Sequence, residues 1–183
     1  TPDNTVTVIV KHLDMGQGTA NGLATLVADE LDAGLDQISV QHAPSNPDVY
    51  KNLLFGMQGT GGSTAMANSF EQYRQAGATA KAMIVQAAAE AWGVDASTVT
   101  VSGGTVSSGT NSATLGELAS AAAQQTVPEA VTLKTPDQWV YIGKDTARVD
   151  VPMKTEGAAG VFGIDTMRED ALVAVTARPP RFG

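Results

Sequence analysis

The chain has 183 residues and a formal net charge of −8, and 43% of its residues are hydrophobic, which is the composition of a globular protein. Its 11 lysine and arginine residues are scattered, so the composition argues against nucleic acid as a partner. The absence of cysteine excludes disulfides, thiolate metal ligands and iron-sulfur clusters held by this chain. Any such cluster would therefore belong to another polypeptide.

The first third of the chain predicts two strands, a helix and a long connection. Residues 6–12 predict a half-buried strand, because Val6, Val8 and Val10 occupy every second position. Apolar residues at helical spacing in residues 19–33 predict a helix that ends at Gly34, and residues 38–42 predict a second strand. Residues 43–62 predict a long loop, a type of segment that is often functional.

The best-defined predicted element is a long helix over residues 63–92, ending at Gly93. Its apolar stripe is mainly alanine with Gly77 in the middle, so we expect another backbone to approach it closely. The predicted stripe consists of Phe70, Tyr73, Ala76, Ala80, Ile84, Ala87, Ala88 and Ala91.

The following residues predict a hairpin around Gly103-Gly104 and a helix over 115–125, with Thr114 and Glu117 forming a capping box. This order of elements predicts an α+β or α/β fold with a mixed sheet. Short β-like pieces broken by glycine follow. This change from alanine-rich helical patterns to short β-like ones predicts a first domain over residues 1–130 and a second over 131–183. The predicted β-like pieces lie at residues 139–142, 148–150 and 171–177.

A Gly-Gln-Gly motif at Gly16, Gln17 and Gly18 follows the first predicted strand. The glycines permit close backbone approach, and the amide offers both donors and an acceptor, which suits a buried polar ligand such as a metal oxo group or a phosphate. The same motif is also typical of a simple turn between strand and helix.

A second glycine motif, Thr60-Gly61-Gly62-Ser63, lies directly before the long helix. The first N–H groups of a helix are unpaired and favour anions, so the motif is a candidate phosphate site. Its spacing is neither that of a Walker loop nor that of a dinucleotide fingerprint. The alternative is a capping serine with a flexible lead-in.

The remaining polar residues predict ordinary structural roles. His12 and His42 show no metal-ligand spacing, and Asp29 and Glu30 are expected on the solvated face of a helix. We identify no hydrolytic triad around Ser63. Trp139 and Tyr141 are expected in the core on one strand face, and Arg148, Asp150 and Lys154 as surface charges of a hairpin.

An ordered set of short motifs resembles the large molybdenum-binding subunit of isoquinoline 1-oxidoreductase-like aldehyde dehydrogenases, in the xanthine oxidase (molybdenum hydroxylase) family. The first group of motifs is similar to the molybdopterin-binding lobe, and a later group is similar to the start of an α/β-hammerhead domain. The first group is Met15-Gly16-Gln17-Gly18-Thr19, Val27-Ala28-Asp29-Glu30-Leu31-Asp32, Thr60-Gly61-Gly62-Ser63, Ala76-Gly77-Ala78, Ala87-Ala88-Ala89, Trp92-Gly93-Val94 and Gly116-Glu117-Leu118-Ala119. The later group is Ile142-Gly143, Arg148-x-Asp150, Lys154-x-x-Gly157-x-Ala159, Gly163-Ile164-Asp165 and Arg178-Pro179-Pro180-x-Phe182-Gly183.

The resemblance implies an oxidoreductase with molybdenum bound by molybdopterin cytosine dinucleotide, which oxidises an aldehyde or N-heterocycle with oxygen drawn from water. It implies a small partner subunit that carries iron-sulfur clusters of the 2Fe-2S type. By the same resemblance Gln17, flanked by Gly16 and Gly18, would hydrogen-bond an oxo ligand of the metal. Gly61, Gly62, Ser63 and Thr64 would hold the phosphates of the cofactor.

One departure limits this assignment. The family's catalytic glutamate lies in a Gly-Glu motif far downstream, and Gly116-Glu117 is better explained as the capped start of a helix, so no catalytic residue is assigned. We therefore expect the N-terminal portion of a larger or split subunit, inactive alone and completed by the rest of that subunit. The alternative is a non-catalytic fragment or assembly module that binds no molybdopterin. The resemblance implies a periplasmic location, with a cytoplasmic one as the alternative, and leaves the substrate open.

Overall fold

The computed structural model describes residues 1–148, 150–157, 163 and 168–181. The chain divides into two compact units, Thr1–Arg148 and Val149–Gly183. The domain division expected at residue 130 stays a prediction.

Helices and small sheets build the first unit, in agreement with the expected α+β class. Its helices and strands, in chain order, are β1 (Val6–Val10), α1 (Thr19–Leu31), β2 (Ile38–His42), α2 (Pro47–Tyr50), α3 (Thr64–Trp92), β3 (Thr100–Ser102), β4 (Thr105–Ser108), β5 (Asn111–Thr114) and α4 (Leu115–Ala122).

The expected mixed sheet is wrong for the described residues, because the strands form two separate sheets. Strands β1 and β2 pair in parallel, with Val6 opposite Ile38, and β3, β4 and β5 form an antiparallel sheet. Gly103 and Gly104 adopt positive φ angles of 54° and 78°, so a tight hairpin joins β3 to β4, as the sequence predicts. Strand β5 then pairs with the other edge of β4, and this local pairing completes the three-stranded sheet.

Helices α1 and α3 pack closely against each other, and both contribute side chains to each of the two hydrophobic clusters of the core. A Cβ atom at Gly77 would lie 2.7 Å from the carbonyl oxygen of Val27, so glycine is required for this approach. The predicted position of α3 and its end at Gly93 are confirmed. Two members of its predicted stripe, Ala76 and Ala91, are instead exposed, because Arg74 and Ala78 share the buried face.

The expectation of a solvated Asp29 and Glu30 is wrong, since they are 0% and 2% exposed. Asp29 accepts backbone N–H groups of residues 140–142, and Glu30 accepts the guanidinium of Arg74 and the backbone N–H of Lys134. Residues 139–142 therefore do not form the expected strand, because a carboxylate takes the N–H groups that a neighbouring strand would bond.

The second unit contains one short helix in its described residues, α5 (Val151–Thr155). Asp150 precedes α5 and forms an ion pair with Lys154, so the expected hairpin is wrong here. Residues 171–177 form no strand, and their large apolar side chains are exposed. Parts of the motifs similar to a hammerhead domain, at 158–162, 164–167 and 182–183, lie outside the described residues. No helix within the described part of the chain is both long and apolar enough to cross a membrane.

Candidate functional site

The loop between β1 and α1 is organised by Asp14. One carboxylate oxygen of Asp14 accepts the backbone N–H groups of Gly16 at 2.8 Å and Gly18 at 3.3 Å, and the other accepts that of Ala20 at 2.9 Å. Asp14 thereby satisfies an N–H of the first turn of α1, which Gly18, at the capping position, has no side chain to bond. The carboxylate thus closes the Gly-Gln-Gly segment into one defined loop.

The charge of Asp14 is stabilised by the same contacts. Burial by itself would raise the pKa of Asp14, but the N–H donors of Ala20, Gly16 and Gly18 and the nearby Arg148 guanidinium outweigh it and lower this pKa below its ordinary value. Asp14 therefore remains ionised and keeps both oxygens available as acceptors.

The side chain of Gln17 is held by its own loop and is exposed. Its amide oxygen accepts the backbone N–H of Met15 at 2.7 Å, and its amide nitrogen donates to the carbonyl oxygen of Leu13 at 2.9 Å. An amide has two acceptor positions and two N–H bonds, so these contacts leave one of each for a ligand. The loop thus orients Gln17 and leaves it able to bind a polar group.

Both glycines of this loop adopt backbone conformations that other residues rarely adopt, with φ angles of 106° at Gly16 and 87° at Gly18. Arg148 donates to the carbonyl oxygen of Gly16 at 3.0 Å, and its guanidinium lies 3.3 Å from the position of a Cβ atom at Gly18. The interpretation of Arg148 as an ordinary surface charge is therefore wrong. Asp14 was not identified from the sequence, although its spacing of two and four residues from the glycines is a recognisable local signal.

The loop before α3 is the second component of the site. Gly62 and Ser63 both adopt left-handed conformations, with φ angles of 58° and 55°, and the Ser63 side chain does not cap the helix. The interpretation of Ser63 as an ordinary capping serine is therefore wrong. A left-handed non-glycine residue is strained, and such strain is often found at binding sites.

Asn52 and Thr64 hold this second loop in place. Asn52 is fully buried, and its amide nitrogen donates to the hydroxyl of Thr64 at 2.8 Å. The Thr64 hydroxyl in turn donates to the carbonyl oxygen of Gly61 at 2.8 Å. The side chains of Asn52 and Thr64 therefore bond other parts of the loop, and the backbone N–H of Thr64 donates to the carbonyl oxygen of Gly61 at 3.2 Å. The next N–H groups at the start of α3 have no side-chain cap.

The two loops meet around one cavity of about 470 Å³. Gln17 lines it from one side, and Gly61, Ser63 and Thr64 line it from the other. Gly16, Gly18 and Gly62 belong to the same loops but are not among its lining residues. The full lining is Met15, Gln17, Thr19, Thr60, Gly61, Ser63, Thr64, Ala65 and Met66. The structure thus brings together four of the seven residues that the sequence singled out, from motifs more than 40 positions apart.

The groups around the cavity are suited to a large polar ligand that carries phosphate. A helix start offers N–H groups and a partial positive charge, and the hydroxyl of Ser63 adds a further polar group. The hydroxyls of Thr60 and Thr64 bond the loops themselves. The side chains of Met15 and Met66 supply an apolar wall. These features suit a ligand that combines anionic groups with apolar surface.

Comparison with known proteins identifies one family. The model of the family described as molybdopterin cofactor-binding domain matches residues 1–163. The chain is 31% identical to isoquinoline 1-oxidoreductase subunit beta of Brevundimonas diminuta over 99% of its own length and 28% of that protein. It is 29% identical to the membrane-bound aldehyde dehydrogenase (pyrroloquinoline-quinone) of Gluconacetobacter polyoxogenes, over 100% of this chain and 24% of that protein.

A solved structure supports the fold. Quinoline 2-oxidoreductase from Pseudomonas putida 86 superimposes with a TM-score of 0.51 at 20% identity, over 68% of this chain and 15% of that one. The chain spans about a quarter of the length of the two curated relatives.

Proposed function

Because the chain belongs to the molybdopterin cofactor-binding domain family of molybdenum hydroxylase-type oxidoreductases, we propose that the cavity between Gln17 and the start of α3 binds the molybdenum cofactor. The observation that carries this proposal is the meeting of the Gln17 loop and the Gly61–Thr64 loop around one cavity of about 470 Å³. Each loop alone is compatible with a simple turn, whereas their shared cavity indicates a ligand.

The two loops are proposed to bind different parts of the cofactor. The N–H groups at the start of α3 that follow Thr64, with the hydroxyl of Ser63, hold the phosphate part, which we propose to be that of a cytosine dinucleotide. Thr64 supports this loop through its bond to Gly61. The remaining N–H and acceptor position of Gln17 orient the end that carries the metal. When bound, the cofactor supplies the oxidation of the substrate, and the protein supplies its position and polar contacts.

No catalytic role is proposed for Glu117. Its carboxylate accepts the backbone N–H of Thr114 at 2.7 Å, while the hydroxyl of Thr114 accepts the backbone N–H of Glu117 at 3.2 Å. One oxygen of the carboxylate thus serves a capping box at the start of α4, as the sequence predicts. Gly116 is needed there for packing, because a Cβ atom would lie 2.6 Å from the backbone nitrogen of Asn4.

The surface around the cavity supports a partner in the complete enzyme. Large apolar side chains on both sides of the cavity are exposed, and a cluster of this kind is uncommon on a surface that remains in water. We propose that the remaining part of a molybdenum subunit covers it. The exposed residues are Leu13, Met15, Val49, Leu53, Leu54, Phe55, Met57 and Met66.

The finer parts of the proposal follow from the family and the composition. The proposed substrates are an aldehyde or an N-heterocycle, classes that the names of two relatives include. A chain without cysteine cannot ligate an iron-sulfur cluster through thiolates, so we propose that electrons leave through clusters of the 2Fe-2S type on a small partner subunit. A hammerhead domain for the second unit and a periplasmic location belong to the same proposal.

Analysis of the purified complete assembly tests the proposed function. We expect molybdenum and a pterin in equal amounts, with cytidine monophosphate released on hydrolysis. The Ser63→Pro variant should lose cofactor, because proline cannot adopt the left-handed conformation of Ser63. The matched variant Ser63→Gly should lose less, because glycine adopts that conformation readily and only the hydroxyl is removed. An assembly that contains neither molybdenum nor pterin would overturn the proposal and favour the non-catalytic assembly module.

A further inference from the structure

His12 is a buried residue that lies between β1 and the Gln17 loop and contacts the loop before α3. It lies two residues beyond β1, and only 1% of its surface is exposed. Its Nδ1 atom is 3.4 Å from the hydroxyl of Thr60, and its Nε2 atom is 3.1 Å from the hydroxyl of Ser69 on α3. Each nitrogen of the ring therefore faces a different segment of the chain.

The buried ring is suited to this position as a neutral group. Burial and the nearby Lys11 ammonium lower the pKa of His12, against an opposing contribution from the carbonyl of Gly59. The amide nitrogen of Asn68 also lies 3.3 Å from Nε2. A neutral imidazole has one donor and one acceptor nitrogen, so it bonds these neighbours without a buried charge.

A continuous path of hydrogen bonds runs from His12 to the amide of Gln17. The Thr60 hydroxyl, which faces His12, accepts the backbone N–H of Leu13 at 2.9 Å. The carbonyl oxygen of Leu13 accepts the amide of Gln17 at 2.9 Å. Thr60 is also the residue before Gly61, so the same hydroxyl borders the loop that begins α3.

We propose that His12 is a positioning residue, whose contact with Thr60 sets the distance between the Gln17 amide and the first N–H groups of α3. This inference rests on the proposed function, since that distance matters only if one ligand spans both loops. His12 is not itself a lining residue of the cavity and acts through Thr60, which is one.

Other contacts hold the end of β1 on α3 without His12. The hydroxyl of Tyr73 accepts the backbone N–H of Lys11 at 2.9 Å and donates to the carbonyl oxygen of Ile9 at 2.9 Å. The Lys11 ammonium donates to the side chain of Gln72 at 2.6 Å. Loss of the contact between His12 and Thr60 should therefore shift the loops while the helix and strand remain packed.

Two substitutions of His12 test the contacts of its two ring nitrogens separately. The amide of asparagine can occupy the position of Nδ1, whereas the longer glutamine carries its amide to the position of Nε2. His12→Asn should therefore keep the contact with Thr60, and the Ser69 hydroxyl that it leaves can bond a carbonyl of its own helix. The amide of Asn68, which also contacts Nε2, keeps its bonds to the carbonyl oxygens of Thr64 and Ala65. His12→Gln should keep the contact with Ser69 and lose the one with Thr60.

The experiment measures molybdenum and pterin retained by the complete assembly after extended dialysis, together with the unfolding temperature. We expect His12→Gln to bind the cofactor about tenfold more weakly than His12→Asn, at similar unfolding temperatures, which corresponds to the loss of one buried hydrogen bond. His42→Gln, at the exposed histidine that ends β2, is the matched control and should retain wild-type content.

A double-mutant cycle supplies the second measurement. Thr60→Val should weaken cofactor retention at least as much as His12→Gln does, because it also removes the acceptor of the Leu13 N–H. Adding His12→Gln to Thr60→Val should cause little further loss, because the contact between the two residues is already absent. Additive losses, or equal retention in His12→Asn and His12→Gln, would overturn the inference. A wild-type assembly without cofactor would instead overturn the proposed function, so the two failures are distinguishable.

Discussion

The carboxylate of Asp29 accepts the backbone N–H of Tyr141 at 2.8 Å, although the two residues are 112 positions apart. The same oxygen accepts the N–H of Ile142 at 2.8 Å, and the ammonium of Lys134 bonds the other oxygen at 3.1 Å. A neighbouring ion pair between Glu30 and Arg74 lies beside it. Residues 134–142 are thus held against α1 by buried charges with several partners each.

The Asp29→Asn substitution should strongly destabilise the protein. It replaces one acceptor oxygen with an NH₂ group that faces N–H donors and leaves the Lys134 charge without one of its partners. We expect a loss of about 3–5 kcal/mol in the free energy of unfolding, measured by urea denaturation. Asp137→Asn, at an exposed position in the same segment, should change stability little.

The contribution of Asp29 to the free energy of unfolding should also depend on pH. Burial by itself raises the pKa of Asp29, but the N–H groups of Ile142 and Tyr141 and the Lys134 ammonium outweigh it, so this pKa lies below the ordinary value of 3.8. As the pH falls, the unfolded chain takes up the proton first, so the stabilisation is complete above 3.8 and is lost as the pH falls through the folded-state pKa. The stability difference between wild type and Asp29→Asn should therefore shrink below pH 3.8, and a constant difference would contradict this assignment.

Gln17→Ala in the complete enzyme should reduce turnover far more than stability. The side chain is exposed, so its removal costs little folding free energy, but the loop loses the group proposed to orient the cofactor. Turnover, cofactor content and unfolding temperature measured on the same preparation separate these effects. Gln86→Ala, at an exposed glutamine on α3, is the control, and unchanged turnover in Gln17→Ala would count against the proposed role.

Asp14→Asn should disturb the Gly-Gln-Gly loop while the core remains folded. An asparagine has one acceptor oxygen where Asp14 has two, so the N–H groups of Gly16 and Ala20 cannot both be bonded as they are now. We expect a stability loss of about 1–2 kcal/mol, typical of a lost helix cap, and a larger relative loss of cofactor. Backbone amide hydrogen exchange should accelerate within residues 14–20, and unchanged exchange there would be the contrary result.

Gly77→Ala should weaken the packing of α1 on α3. The added methyl group would lie 2.7 Å from the Val27 carbonyl oxygen and 3.0 Å from Cβ of Glu30, so the helices must move apart. This should cost about 1–3 kcal/mol, although alanine is otherwise the better helix former. Gln75→Ala, at an exposed position on the same helix, provides the control by thermal unfolding, and equal stability of the two variants would exclude a close-packing requirement.

Elements specified by neighbouring residues were predicted correctly. The hairpin at Gly103-Gly104 and the capping box of Thr114 and Glu117 depend on residues at most a few positions apart, so the sequence displays their cause directly. The long helix and its glycine stop are equally local. The two glycine motifs were also identified as candidate sites for the same reason.

The predictions that failed concerned partners distant in the sequence. Asp29 and Glu30 resemble solvated helix charges until Arg74 and Lys134 are placed against them. Residues 139–142 have strand-like composition, yet a carboxylate takes their N–H groups, which no local pattern indicates. The prediction of a mixed sheet was wrong for the same reason, because tertiary packing determines which strands pair.

The sequence by itself determined the helices α1, α3 and α4, the turn at Gly103-Gly104, the absence of thiol ligands and the two loops able to bind a polar ligand, since these follow from composition and short spacing. Only the tertiary structure decided that Gln17 and Ser63 line one cavity and that Asp14 and His12 hold it, because packing of α1 on α3 and pairing of β1 with β2 bring these residues together. A binding site requires groups at fixed distances in space, and those distances depend on side chains far apart along the chain.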